Sequence, residues 1–243
     1  MNHRKDSANP PDRETLMQQA RFKLHGRKKG ILKRGESAWL PERLKALAPP
    51  WRGSRAETLS HWGADPENAR LWLEIGFGNG ETLTHLAAHH PGDRWIGIDV
   101  FMEGISALVR RMERLEHHNV AVEAGNVLEI LATRNITAMF DRVIINFPDP
   151  WPKKRHHKRR LIQTDFLDVL ATAMVAGGVV TLATDWPEYG TWMQEHLEGH
   201  SGFTNLHGPL QPAPEPDLWL PTRFQQKGEI AGRPILHLAY RRT

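Results

Sequence analysis

Two segments of this 243-residue chain combine residue types and spacings that suit chemistry. In the first, Glu74 stands two residues before an alternating run of glycines, Gly76, Gly78 and Gly80. Glycine lets a backbone turn sharply and approach a ligand with no Cβ in the way. A carboxylate at Glu74 repels phosphate but favours a ligand that carries an ammonium or sulfonium charge. The spacing is GxGxG, not the GxGxxG of dinucleotide sites. Asp99 follows nineteen residues after Gly80 and can accept both hydroxyl hydrogens of a ribose. Taken alone, such a run reads equally as a tight strand-to-helix turn. In the second segment, Asn146-Phe147-Pro148-Asp149-Pro150-Trp151-Pro152, three prolines stiffen a loop that carries one carboxylate and two aromatic rings. It runs directly into Lys153-Lys154-Arg155-His156-His157-Lys158-Arg159-Arg160. A rigid loop joined to a polycation suits a substrate that is planar and anionic, hence nucleic acid.

These residues need elements to hold them. LWLEI (71–75) reads as a short strand leading into the glycines, and ETLTHLAAHH (81–90) as a helix stopped by Pro91-Gly92. RWIGID (94–99) reads as a second strand. FMEGISALVRRMERLE (101–116) is a helix with Ile105, Leu108, Met112 and Leu115 on one face, and NVAVEA (119–124) a third strand. DRVIINF (141–147), GGVVTLATD (177–185) and ILHLAY (235–240) are further strands, with helical sequence from about Arg160 to Val175. This alternation predicts right-handed βαβ crossovers and a mostly parallel sheet covered on both faces. Glycine loop, Asp99 and proline loop then all lie at the carboxyl edge of the sheet, where such folds bind ligands.

Charge is divided unevenly. The chain carries 32 Lys and Arg against 28 Asp and Glu, net +4. Residues 1–34 hold ten basic and three acidic side chains, and residues 153–160 six basic and none acidic, so the remaining 201 residues are net −9. Two cationic blocks on an acidic body suit contact with a polyanion. Residues 1–34, with Pro10-Pro11 and few bulky apolar side chains, are expected to form a flexible basic arm, and residues 35–243 a single domain, anchored at its start by Trp39, Trp51 and Trp62. The apolar run AMVAGGVVTLA (173–183) is far short of the ~20 residues of a membrane span. No secretory signal is visible at the N-terminus, and the absence of cysteine excludes disulfides, thiolate metal sites and a cysteine nucleophile. A cytoplasmic, membrane-free protein is expected. His85 and His89, four apart on a helix, lack a third ligand motif, so no metal is expected. Nothing in the sequence sets an oligomeric state, monomer or homodimer.

LEIGFGNG (73–80) resembles motif I of class I methyltransferases, which favours S-adenosylmethionine over NAD. Asp99 falls in that class's ribose position and Gly125-Asn126 where it holds adenine. More specifically, NFPDPWPKKRHHKRRL (146–161) is similar to the signature of the tRNA (guanine-N7)-methyltransferases, with Asp185 and TRFQQKGE (222–229) in the family's order. The resemblance spans roughly residues 70–230. It implies an α/β fold with a doubly wound, mostly parallel seven-stranded sheet whose last strand is antiparallel. It also implies methyl transfer from S-adenosylmethionine to N7 of a guanine in tRNA, at position 46 of the variable loop. Glu74, Gly76, Gly78, Gly80, Asp99, Asn126 and Asp149 would line the cofactor, with Asp149 also catalytic. Lys153, Asp185, Thr222, Arg223, Phe224 and Gln225 would hold substrate, and Arg155, His156, His157, Lys158, Arg159 and Arg160 would contact RNA. Two departures stand out. Asp99 replaces the usual Glu, and Thr222-Arg223-Phe224-Gln225 replaces a TxxE pattern, with Glu229 four residues further on.

Each of these residues has a plainer reading. Asp149 and Asp185 could cap the helices that follow them, Trp151 could pack on the domain, and the basic run could be a solvated face. Two rival functions are an exocyclic-amine nucleic-acid methyltransferase and a non-catalytic RNA-binding protein on the same fold. The first carries Asn/Asp-Pro-Pro-aromatic where this chain has Pro-Asp-Pro-Trp. Against the second stand Glu74, the glycines, Asp99 and Asp149.

Overall fold

A computed structural model describes residues 35–221, 230 and 232–243; the basic segment 1–34 and the Thr222 to Glu229 stretch lie outside the described residues. Strands β1 (Leu71–Ile75), β2 (Arg94–Asp99) and β3 (Val120–Ala124) alternate with α3 (Glu81–His89) and α4 (Met102–Leu115). Then come α5 (Val127–Thr133), β4 (Phe140–Asn146), a 3₁₀ turn (Lys154–Arg159), α6 (Thr164–Ala173), β5 (Met174–Thr184), α7 (Pro187–Glu198), β6 (Phe203–Asn205) and β7 (Leu236–Arg242). Ahead of β1 lie α1 (Glu36–Ala46) and α2 (Arg55–His61).

The strands form one seven-stranded sheet in the order β3-β2-β1-β4-β5-β7-β6. β1 pairs in parallel with β2 and β4, β3 with β2, and β5 with β4, while β7 runs antiparallel to both β5 and β6. The chain starts at the centre, winds outward through β2 and β3, and returns to continue on the other side of β1. Strand order therefore reverses between β1 and β4, and the crevice beyond their carboxyl ends is the ligand position of open α/β sheets.

Alternation along the strands divides the core in two. Leu71, Leu73, Ile75, Ile96, Ile98, Val143 and Ile145 share a cluster with side chains of α5, α6 and α7. Trp95, Val120, Val122 and Ile144 share the opposite cluster with side chains of α1, α3 and α4. Each such buried side chain contributes on the order of 1.5–3 kcal/mol. Ile105, Leu108 and Met112 face this second cluster as their spacing predicts, but Leu115 does not. It ends α4 and is half exposed.

The leading segment is tied to both faces. Glu36, buried at the start of α1, accepts from Oγ of Ser106 (2.9 Å) and Nη2 of Arg110 (2.9 Å) on α4. Ser54 and Glu57 form a reciprocal capping box that starts α2. Arg55 then donates to Asp141 (2.7 Å) and to the Ala69 carbonyl (2.7 Å). Trp51 donates to Glu123 (2.7 Å). Among the described residues no helix is long and apolar enough to cross a membrane.

Candidate active site

Glu74, the penultimate residue of β1, alternates with Leu73 and Ile75 and so lies on the face covered by α3 and α4. It is buried, and its Oε2 has no hydrogen-bond partner. Burial, with Asp99 nearby, pushes its carboxyl up to about 8. An acid kept out of water with an oxygen unsatisfied is an unusual arrangement and needs a cause; a cationic ligand provides one. The following loop has Gly76, Gly78 and Gly80 at φ of 74°, 57° and 71°, the left-handed region that only glycine enters without strain. A Cβ on Gly76 or Gly78 would meet nothing within 4 Å, so the loop borders open space. From below, Gly104 of α4 packs so closely that a Cβ there would lie 2.2 Å from the Gly78 carbonyl oxygen.

Asp99 closes the loop from β2. Its Oδ2 accepts from the Gly78 amide (2.8 Å) and its Oδ1 from the Phe101 amide (2.8 Å). Burial raises its carboxyl above the ordinary value, against these backbone donors, with a further push from Asp149. The shorter Asp thus braces the glycine loop, and each oxygen keeps a second lone pair for a ligand hydroxyl. At the end of β3, Gly125 donates to the Asp99 carbonyl (2.9 Å), and Asn126 caps α5, its Oδ1 accepting from Leu128 (2.9 Å) and Glu129 (3.4 Å).

Across the crevice, β4 delivers Asn146 and the proline loop. Asn146 Nδ2 is buried without a hydrogen-bond partner, a second polar orphan on the same edge as Glu74. Phe147 (φ 49°) and Trp151 (φ 42°) adopt left-handed backbone that costs an L-residue roughly 1–2 kcal/mol. Between them Asp149 is exposed at the mouth of the crevice, near enough to bear on the ionisation of Asp99 and Tyr189. Trp151 packs within the loop, with the Arg159 guanidinium 5.0 Å from its ring and His156 edge-on at 5.8 Å.

The basic run makes a 3₁₀ turn in which Lys153, Lys154, Arg155 and Lys158 are exposed and His156, His157 and Arg159 partly so. Partial burial, followed by the fields of Arg159, Arg155, Lys153 and Lys158, holds His156 below the ordinary histidine value. Arg160, expected from the sequence among the RNA contacts, has a fully buried side chain bonded to Pro150 and Glu188, whereas its basic neighbours Arg155 and Lys158 are exposed.

Asp185 lies just past the carboxyl end of β5. It is not a helix cap: α7 has Trp186 at its N-cap and Pro187 in its first turn, because proline is suited to the position where the helix has no N–H to satisfy. Asp185 Oδ2 instead accepts from Arg233 Nη2 (2.6 Å) and Nε (3.1 Å). Thr222, Arg223, Phe224, Gln225 and Glu229 lie outside the described residues. His89 Nδ1 is 2.8 Å from the His85 carbonyl, and no metal-binding group of three was found among the described residues.

Sequence reasoning named Asn146 only as the first residue of the proline segment, without a role of its own, and missed Gly104 and Glu188. Gly104 and Glu188 act on partners 26 and 28 residues away, which local pattern cannot reveal.

Comparison with known proteins gives the family and the fold. A family model described as "Putative methyltransferase" matches residues 68–238. A tRNA (guanine-N(7)-)-methyltransferase of Magnetococcus marinus is 48% identical over 238 residues, covering 98% of this chain and 94% of the relative. One from Halorhodospira halophila is 40% identical over 169 residues, 70% of this chain and 73% of that protein. Among solved structures, a variant 16S rRNA (adenine(1408)-N(1))-methyltransferase of Catenulisporales acidiphilia, determined with the cosubstrate SAM, superimposes with a TM-score of 0.50 at 16% identity, covering 88% of this chain and 94% of that one. That last likeness is one of fold.

Proposed function

Because the chain belongs to the tRNA (guanine-N(7)-)-methyltransferase family, we propose that it transfers the methyl group of S-adenosylmethionine to N7 of a guanine in tRNA, at position 46 of the variable loop. The observation that carries this reading is the buried, unsatisfied Glu74 beside an open glycine loop, facing the proline loop across the switch between β1 and β4. A cytoplasmic location follows from the substrate.

The residues present fit this cofactor. Glu74 would take its ammonium group, Gly76 and Gly78 would let it approach the backbone while Gly80, where a Cβ would lie 2.4 Å from Leu108, seats the loop on α4, Asp99 would accept its ribose hydroxyls, and Asn126 would border its adenine. When bound, the cofactor supplies an electrophilic methyl on sulfonium. Guanine N7 offers a lone pair and no proton, so no side chain has to act as a base. What remains for the chain is alignment, where good orientation lowers a barrier by about 7–11 kcal/mol, and stabilisation of positive charge developing on the base. Asp149, exposed on a stiffened loop, serves that second need electrostatically. Asp185, Lys153 and the Thr222 to Gln225 segment hold the substrate, and Arg155 and Lys158 meet phosphates.

Incubation with labelled S-adenosylmethionine and unmodified tRNA, followed by aniline cleavage, tests the reading. Label at one guanine and strand scission at that site are expected. Label on an adenine amine, resistant to aniline, would replace this function with the exocyclic-amine one. In the same assay Asp149→Asn should cut single-turnover transfer roughly 10²-fold with cofactor binding intact; transfer at the normal rate would remove Asp149 from the chemistry.

A further inference from the structure

Arg160 ends the most basic run in the chain, yet its side chain is 0% exposed. Its donors point in three directions. Nε donates to the Pro150 carbonyl (2.9 Å), Nη1 and Nη2 to the two oxygens of Glu188 (3.0 and 2.5 Å), and Nη2 also to Nε2 of His157 (3.1 Å). The guanidinium carbon sits 4.9 Å from the Tyr189 ring and 4.8 Å from that of Trp192. Trp192 in turn donates to the Ile162 carbonyl (2.7 Å). A guanidinium removed from water is tolerated only when paired and fully hydrogen-bonded, and only a planar fork reaches all these acceptors at once.

What this cation joins is informative. Pro150 follows Asp149 directly, and Glu188 lies in the first turn of α7, three residues after Asp185. We infer that Arg160 is a positioning residue, with Glu188 as its obligatory partner, that fixes the spacing between the loop bearing Asp149 and the strand end bearing Asp185. The inference rests on the proposed function, which places both carboxylates at the substrate. One guanidinium therefore sets the frame in which the base is aligned, while its neighbours in sequence meet the RNA. Placement errors of about 1 Å can cost 10²-fold in rate, so a lysine, a single point charge on a flexible stem, should not replace it.

Full-length Arg160→Lys and Glu188→Gln are compared with the wild type. Four quantities are measured: single-turnover methyl transfer per cofactor-binding molecule, tRNA dissociation constant, the slope of log Kd against log salt, and melting temperature. The expected result for Arg160→Lys is a rate about tenfold lower or more, with tRNA affinity and salt slope unchanged. Glu188→Gln keeps an acceptor oxygen for the guanidinium but removes the charge at a half-exposed carboxylate; scored per cofactor-binding molecule it should lose rate in the same direction, and it carries the test if Arg160→Lys does not fold. A weaker Kd with a shallower slope and a normal rate overturns the inference in favour of direct RNA contact. A lower melting temperature with a normal rate per binding-competent molecule also overturns it, leaving a purely structural role. Wild-type protein that does not methylate guanine overturns the functional reading and this inference with it. Active wild type with both variants unaffected overturns the inference alone.

Discussion

A carboxylic acid sealed beneath a glycine loop responds to pH differently from an exposed one. Glu74, pushed up to about 8 by burial, holds its proton in the folded protein where an unfolded glutamate titrates at about 4.3. The native state then binds more protons between those values. Its contribution to stability is full below the unfolded value and is lost as pH rises towards 8. Cofactor binding has the opposite slope, since an ammonium group requires the ionised acid. Affinity for S-adenosylmethionine should rise with pH, by up to about tenfold per unit below 8, with proton release. Calorimetry at pH 6.5 and 8.5, in buffers of different ionisation enthalpy, measures both. Glu74→Gln should bind more weakly and without that slope; an unchanged slope would show that another group titrates. Glu74 and the glycines were legible because the chemistry lies in one contiguous stretch. The bracing of Gly78 by Asp99 was not, because it depends on how far a shorter acid reaches.

Among the elements, α4 matters beyond the core it covers. Its first turn supports the glycine loop through Gly104, where an added Cβ would lie 2.2 Å from the Gly78 oxygen and 2.8 Å from its carbonyl carbon. Gly104→Ala should cost about 1–3 kcal/mol by overpacking and weaken cofactor binding tenfold or more by pushing the loop away. Gly92→Ala, with nothing within 4 Å of the added carbon, is the control, and denaturant melts with cofactor titration check the pair. An unchanged cofactor affinity in Gly104→Ala would mean that the loop gives way freely. Periodicity located α4 and its buried face but carried that face one residue too far, to Leu115. The three-residue β6 escaped sequence reading because so short a segment is held by pairing with β7, not by a pattern of its own.

For the molecule as a whole, charge is partitioned by duty. The acidic body, net −9 over 201 residues, contains Glu74 and Asp99, the carboxylates proposed to face a cationic cofactor, whereas the cationic turn at 153–160 sits beside the proline loop. The basic segment 1–34, net +7, is proposed to add affinity and no chemistry. Its deletion should weaken tRNA binding and flatten the salt dependence, since every phosphate left without a cationic partner lowers the slope by about 0.9. Turnover at saturating tRNA should stay near normal. Collapse of saturated turnover would assign the segment to the active site.

The sequence by itself determined six of the seven strands and the helices α3, α4 and α6, the carboxyl-edge placement of the glycine and proline loops, and the family, because each is written in local periodicity or in contiguous motifs. Only the tertiary structure decided the fates of Arg160 and Asp185. In sequence Arg160 is one more basic residue in KKRHHKRR, and burial against Glu188, Tyr189 and Trp192 turns it inward. Asp185 precedes Trp186-Pro187 as a helix cap would, yet the fold brings Arg233 from 48 residues away to bond it. A side chain's role depends on which partners reach it, and partners distant in the chain meet only when the sheet brings their elements together.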